Sequence, residues 1–103
     1  MEQGLSGLFA FLATGIADTA EGRRPGARYA MLVYVTAADF EAAQRRAAGV
    51  AIGAGWMLVR LEKGKPIAAN EASGDPVLDA AAQTAIEDGS ALVVYGDELP
   101  PAA

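Results

Sequence analysis

One stretch of nine residues constrains the fold of this chain more than any other. Residues 28–36 form a run rich in β-branched and aromatic side chains, which is typical of a β-strand. The side chains that alternate along it are apolar on both sides of the strand. They are Tyr29, Met31, Val33 and Val35 on one side and Ala30, Leu32 and Tyr34 on the other. A strand with two apolar faces is usually covered on both, so this stretch is predicted to be the central strand of the sheet.

The length and composition are those of one folded domain. A chain of 103 residues buries roughly 65% of the surface that its unfolded state exposes. Because 52% of the residues are hydrophobic and 20% are charged, the composition is not that of a disordered chain. The net charge of −5 disfavours nucleic acid as a partner, and residues 66–103 carry seven acids and no base. The frequent alanine and the excess of arginine over lysine suggest a bacterial protein, which we expect to be cytoplasmic.

The chain contains neither cysteine nor histidine. Without a thiolate or an imidazole, the common nucleophile and base pairs and nearly every zinc site are excluded. No cofactor and no bound metal are expected. This composition favours a non-catalytic protein over an enzyme.

The N-terminal segment, residues 1–22, contains an uncharged run at 3–17. Its large apolar residues have helical spacing, which predicts a helix over residues 5–21. They are Leu5, Leu8, Phe9, Leu12 and Ile16. Fifteen uncharged residues are too few for a membrane span, and only Glu2 precedes the run, which is unlike a signal peptide. The helix is expected to pack on the core of its own chain or in a dimer interface.

Residues 28–96 are predicted to form a βαββαβ domain, followed by a frayed tail at 97–103. The elements are a strand at 28–36, a helix at 37–48, strands at 56–62 and 65–70, a helix at 76–88 and a strand at 91–96. This pattern is ferredoxin-like: an α+β fold with a four-stranded, mostly antiparallel sheet and both helices on one face. Lys63-Gly64 is interpreted as a hairpin turn. Pro66 fits an edge strand better than the usual central position of the third strand, so the strand order stays open.

Local signals mark the helix ends and one basic loop. Thr36 is the predicted N-cap of the first helix, and Asp75-Pro76 begins the second. Glu87 and Asp88 then fall in the last turn of the second helix, where acids oppose the helix dipole, and the sequence offers no reason for this. Arg23, Arg24 and Arg28 could grip an anion, although a solvated loop explains them better.

The best candidate ligand site combines one residue of the central strand with three of the next strand. Trp56, Arg60 and Glu62 share a strand face, and Tyr34 could join them from the neighbouring strand. A small acidic or aromatic ligand would suit these side chains. Ordinary packing of two aromatic rings beside an Arg–Glu ion pair explains them better. Asp75 and Asp79 could hold a divalent cation, but helix capping explains Asp75 better.

Two classes of function fit these observations. The first is a non-catalytic binding, regulatory or assembly module that acts as a homo-oligomer, most simply a dimer. Its predicted interface consists of Leu5, Leu8, Phe9, Leu12, Ile16, Trp56 and Leu58, because two helices on one sheet face leave these residues without cover. The second is a small cofactor-independent enzyme of the dimeric ferredoxin-like kind, with a small-molecule pocket near Tyr34, Trp56 and Arg60. The sequence favours the first class.

Overall fold

The structure, a computed structural model, describes residues 7–68 and 73–100. Its elements, in chain order, are β1 (Gly7–Ala17), β2 (Arg28–Ala37), α1 (Phe40–Gly53), β3 (Trp56–Ile67), α2 (Pro76–Asp88) and β4 (Ser90–Leu99). The four strands form one antiparallel sheet in the order β3-β1-β2-β4. The α+β class and the four-stranded sheet are confirmed. Neither described helix has the length and apolar character needed to cross a membrane.

Strand β2 is an inner strand and has apolar side chains on both of its faces. It pairs with β1 on one side and with β4 on the other. One of its faces, with Met31 and Val33, packs beneath α1, whereas the other, with Tyr34, packs beneath α2. The two helices therefore lie on opposite faces of the sheet, and the prediction that they share one face is wrong. The observed order of elements and strands also does not reproduce the ferredoxin-like pattern.

The predicted N-terminal helix is a strand in the structure, and residues 5 and 6 of that prediction lie outside the described residues. Strand β1 pairs with β2 from Gly7 opposite Ala37 to Ile16 opposite Arg28. Because nearly every side chain in this run is apolar, helical spacing and strand alternation both match it, and spacing cannot separate them. Pairing with β2 favours the strand over the helix, because it buries Phe9 and Phe11 on one face and Leu8 and Ala10 on the other.

The predicted hairpin at Lys63-Gly64 is also wrong, because β3 is one continuous strand of 12 residues. Gly64 lies opposite Phe11 on β1, and a Cβ atom at this position would collide with the Phe11 ring. The glycine therefore makes room for a buried aromatic ring and does not form a turn. Pro66 lies on β3, which is an edge strand of the sheet, as expected for a residue that has no N–H to donate.

The face beneath α1 holds the larger core, which is buried along the inner strands β1 and β2. Phe11, Met31, Val33 and Val35 are its largest fully buried side chains. Three alanines of α1 pack on them with no exposed surface; these are Ala43, Ala47 and Ala51. Beyond the helix, the loop between β1 and β2 continues the cover, with Ala20 and Ala27 buried in the same core. Helix α1 begins after Asp39, which accepts a hydrogen bond from the Ala42 N–H at 2.8 Å, and not after Thr36 as predicted.

The face beneath α2 holds a smaller core. Leu8, Ala10, Tyr34 and Ala85 are its buried members. Helix α2 begins at Asp75-Pro76 as predicted, and it ends at Gly89, whose φ of 100° suits glycine. Its 13 residues make a helix about 20 Å long, whereas strands of 10 to 12 residues extend for roughly 33–40 Å. Helix α2 therefore cannot cover the whole length of this face.

The arginine cluster of the β1–β2 loop holds the end of β4. Arg24 donates two hydrogen bonds to the Glu98 carboxylate, at 3.1 and 2.7 Å, and these bonds lower the pKa of Glu98 below its usual value. Arg23 donates to the Tyr95 carbonyl at 3.4 Å, and Arg28 donates to the Pro100 carbonyl at 3.1 Å. The loop is largely exposed to solvent, as expected, and its three arginines bind the end of β4. Residues 97–99 were predicted to belong to a frayed tail but are part of β4, and residues 101–103 lie outside the described residues.

Candidate interaction surface

The part of the α2 face that α2 does not cover is the candidate functional site, and we call it the open surface. Directly opposite residues of antiparallel strands share a face, and Leu12 of β1 lies opposite Leu32 of β2 and Lys63 of β3. The same pairing places Arg60 and Lys65 on this face. The open surface consists of Leu12, Thr14, Ile16, Arg28, Ala30, Leu32, Met57, Leu58, Arg60, Lys63 and Lys65.

The centre of the open surface is apolar. Leu12 has 36% and Leu58 has 77% of its surface exposed, while Ile16 and Leu32 are half-buried. Leu58 has a φ of 51°, the one positive φ of a non-glycine residue among the described residues. It lies where the pairing of β1 with β3 shifts register, between Thr14 and Ile16. A branched residue in this left-handed region is strained, so the chain keeps a large apolar side chain in solvent at a conformational cost.

The rim of the open surface is basic. Arg28, Arg60, Lys63 and Lys65 are half of the eight basic residues of a chain whose net charge is −5. The Arg60 guanidinium lies 3.9 Å from the Glu62 carboxylate, and Arg28 donates to a backbone carbonyl. Within residues 7–68 and 73–100, neither Lys63 nor Lys65 has an ion-pair partner. The surface therefore offers positive charge to a second molecule.

Two shallow cavities lie on the α2 face of the sheet. One, of about 200 Å³, lies between the helix and the sheet and is lined by Ala10, Leu32, Tyr34, Lys65, Ile67, Ser73, Leu78, Asp79 and Ala82. The other, of about 330 Å³, lies over Leu12 and Leu32 beside the two lysines. Burial raises the pKa of the Tyr34 hydroxyl. Hydrogen bonds from the Ser73 N–H and hydroxyl, at 2.9 and 2.8 Å, lower the pKa of Asp79.

Helix α2, beside the open surface, carries the opposite charge. Its outer surface exposes Val77 and Ile86, with 61% and 41% of their surfaces in solvent. Four acids belong to the helix or its N-cap, namely Asp75, Asp79, Glu87 and Asp88, and its last turn contains no base. One side of the molecule thus consists of a raised acidic helix and a recessed basic surface.

The structure does not bring the four predicted ligand-site residues together. Tyr34 is buried beneath α2, whereas Trp56 is buried beneath α1. The Trp56 ring packs edge-on against Tyr29, with 5.5 Å between the ring centroids. Arg60 and Glu62 form an exposed ion pair. A pocket that contains both Tyr34 and Trp56 is therefore absent from the described residues.

The predicted interface residues divide into three groups. Leu5 lies outside the described residues, and Leu8, Phe9 and Trp56 are buried within the chain. Leu12, Ile16 and Leu58 remain, and all three belong to the open surface. The sequence interpretation missed Leu32, Lys63 and Lys65 as surface neighbours. Lysines at alternate positions, 63 and 65, indicate that both lie on one strand face, but the interpretation of Lys63-Gly64 as a turn hid this pattern.

The described residues contain no group of three or more carboxylates that could hold a metal ion. Asp75 accepts hydrogen bonds from the N–H groups of Val77 and Leu78, and Asp79 accepts from Ser73, so helix capping and loop bonds occupy both acids. No family model, curated protein or solved structure matches this chain. The function therefore has to be inferred from the open surface itself.

Proposed function

We propose that this protein is a non-catalytic binding and assembly module that acts as a homo-oligomer, most simply a dimer, in the bacterial cytoplasm. The observation that carries the proposal is the open surface, where apolar side chains lie in solvent inside a basic rim. Contiguous apolar patches larger than a few hundred Å² are uncommon on monomers and commonly mark interaction sites. The lack of cysteine and histidine also favours binding over catalysis.

A second copy is the simplest partner for this surface. Stable interfaces bury roughly 800 Å² on each partner. The exposed outer side of α2 is adjacent and supplies further apolar area through Val77 and Ile86. Most soluble oligomers are symmetric assemblies of identical chains, so each copy would contribute the same patch.

Sedimentation equilibrium tests the proposal over concentrations on the order of 1 to 100 µM. The wild-type chain is expected to have the mass of a dimer in this range. Leu58→Asn should weaken self-association at least about tenfold, because it removes an apolar side chain from the interface. Ile52→Asn is the matched control, since Ile52 is also exposed, at 60%, but lies on α1 at the opposite face. A wild-type chain that stays monomeric throughout would contradict the proposal.

The alternative, a small cofactor-independent enzyme, has one observation in its favour. The cavity of about 200 Å³ beneath α2 places the Tyr34 ring near Lys65 and Asp79, which are groups able to orient a small polar ligand. Trp56 cannot contribute, because it lies on the other face. A screen of small carboxylic acids by NMR chemical shifts would test this alternative. Saturable shifts in the wild type that are lost in Tyr34→Phe would favour it.

A further inference from the structure

We infer that the dimer is formed by reciprocal seating, in which α2 of each copy packs on the open surface of the other. This inference rests on the proposed self-association and adds which surfaces meet. Three observations support it: the shape of the α2 side of the molecule, the signs of its charges, and two features that destabilise a single copy.

Helix α2 rises above the part of the sheet that it leaves uncovered. A helix with its side chains is about 10 Å thick, so α2 stands that far above the sheet. The open surface beside it is recessed by the same depth, because no described element covers it. When two copies meet with their α2 sides facing each other about a two-fold axis, each raised helix can fill the recess of the partner. Placing α2 on α2 would instead leave both recesses empty.

The charges of the two surfaces favour the same arrangement. The open surface has four bases at its rim, and α2 with its N-cap carries four acids. Contact between two open surfaces would place bases against bases, and contact between two α2 helices would place acids against acids. Only reciprocal seating brings opposite charges together twice in one dimer. It also removes Leu12, Leu58, Val77 and Ile86 from water.

The destabilising features lie on these two surfaces. Glu87 and Asp88 occupy the last turn of α2, where carboxylates face the negative end of the helix dipole and destabilise the helix. Leu58 holds a left-handed conformation while it is largely exposed. Within residues 7–68 and 73–100, neither acid has an ion-pair partner, and Glu87 accepts one hydrogen bond from the Gln83 side chain at 2.9 Å. In the reciprocal dimer, the acids face the bases of the partner and Leu58 gains apolar contacts. Binding to the second copy would therefore explain why the chain has both features.

Charge reversal tests the inference, with sedimentation equilibrium at low and at high salt. The double variant Lys63→Glu, Lys65→Glu makes the open surface acidic, and Glu87→Lys, Asp88→Lys makes the outer end of α2 basic. Each variant alone is expected to lose self-association by at least about tenfold, because like charges then meet. An equimolar mixture of the two should form a 1:1 heterodimer, since an acidic open surface meets a basic α2. Wild-type association should weaken at high salt because these charges are exposed.

A matched control separates local pairing from net charge. Arg45→Glu changes the net charge by the same amount as Lys63→Glu, but Arg45 is an exposed residue of α1 on the opposite face. It is expected to leave the association constant within about twofold, whereas Lys63→Glu alone should lower it several-fold.

The outcomes distinguish the inference from the proposed function. If the wild-type chain dimerises and neither double variant changes its association constant, reciprocal seating is overturned while self-association stands. Dimerisation through the unpaired edge of β4 would give that result. A monomeric wild type would overturn both. Circular dichroism of each variant checks that the fold survives, and the heterodimer itself requires that both variants are folded.

Discussion

The two faces of the sheet differ in how completely they are covered. Beneath α1, the helix and the β1–β2 loop together cover the inner strands β1 and β2, and Met31, Val33 and Val35 have no exposed surface. Beneath α2, a helix of nearly the same length works alone, so Leu12 and Leu58 remain in solvent. The difference therefore does not come from helix length. It comes from the loop, which folds back over only one face.

This difference separates a role in stability from a role in binding. A fully covered face supplies the contacts that hold a small domain together, since interiors are packed as densely as crystals. A partly covered face contributes less to stability and retains apolar surface for a second molecule. Adjacent residues of one strand point to the two faces, so single substitutions can compare them directly.

The largest expected effect comes from comparing Phe11→Ala with Leu12→Ala. Phe11 is 1% exposed beneath α1, and its removal should lower the free energy of unfolding by about 3–5 kcal/mol. Leu12 is 36% exposed on the other face, and its removal should cost about 1 kcal/mol or less. Urea denaturation, at protein concentrations low enough for the chain to be monomeric, would measure the free energy of unfolding of both variants. Equal losses in the free energy of unfolding for the two variants would show that the two faces contribute equally to stability.

A smaller loss is expected when the covered face is overpacked through Gly64→Ala. The added methyl group meets the buried Phe11 ring, which cannot move aside, so the loss should be about 1–3 kcal/mol. Gly96→Ala is the matched control in another edge strand, because a Cβ atom at Gly96 has no neighbour within 4 Å. It should be neutral or slightly stabilising. Thermal unfolding of the two variants would decide, and a stabilised Gly64→Ala would contradict the packing explanation.

Lowering the pH is expected to weaken interactions of carboxylates at the surface of the domain and to leave its apolar core unchanged. No charged side chain is buried among the described residues, whereas the pKa values of Glu98 and Asp79 are lowered by their hydrogen bonds in the folded state. A lowered pKa contributes stability above the unfolded-state value, near pH 4, and this is lost as the pH falls through the folded-state value. Stability should therefore decrease below about pH 4. Glu98→Gln should flatten that decrease, as measured by urea titrations across this range.

Some elements could be predicted because their sequence signals do not depend on which strand they pair with. The two-sided apolar pattern of β2 and the Asp75-Pro76 start of α2 both led to the correct element. The strand β1 could not be predicted from spacing, because an apolar run satisfies both helix and strand patterns until it pairs with β2. Gly64 was misinterpreted for a related reason. Whether a glycine forms a turn or makes room for a ring depends on Phe11, which is distant in sequence.

The candidate site could be predicted only in part for the same reason. Leu12, Ile16 and Leu58 were expected to require cover, and they form the centre of the open surface. Their basic neighbours were not expected, since the positions of Lys63 and Lys65 on this face depend on the register of β3 with β1. Trp56 was assigned to the wrong face because strand pairing, which fixes the direction of a side chain, is not a local property.

The smallest expected effect on stability is also the most informative about the open surface. Leu58→Asn places a residue that tolerates left-handed backbone at a φ of 51°, and it removes little buried area because the leucine is 77% exposed. The free energy of unfolding of the monomer should therefore change by no more than about 0.5 kcal/mol in either direction. The adjacent Met57→Asn, at 43% exposure and without a positive φ, should destabilise more. A loss above about 1 kcal/mol for Leu58→Asn would mean that the leucine is retained for contacts within its own chain. Near-neutral stability combined with weakened dimerisation would mean that the strained leucine is retained for its contacts with the second copy, as expected of strain at a functional surface.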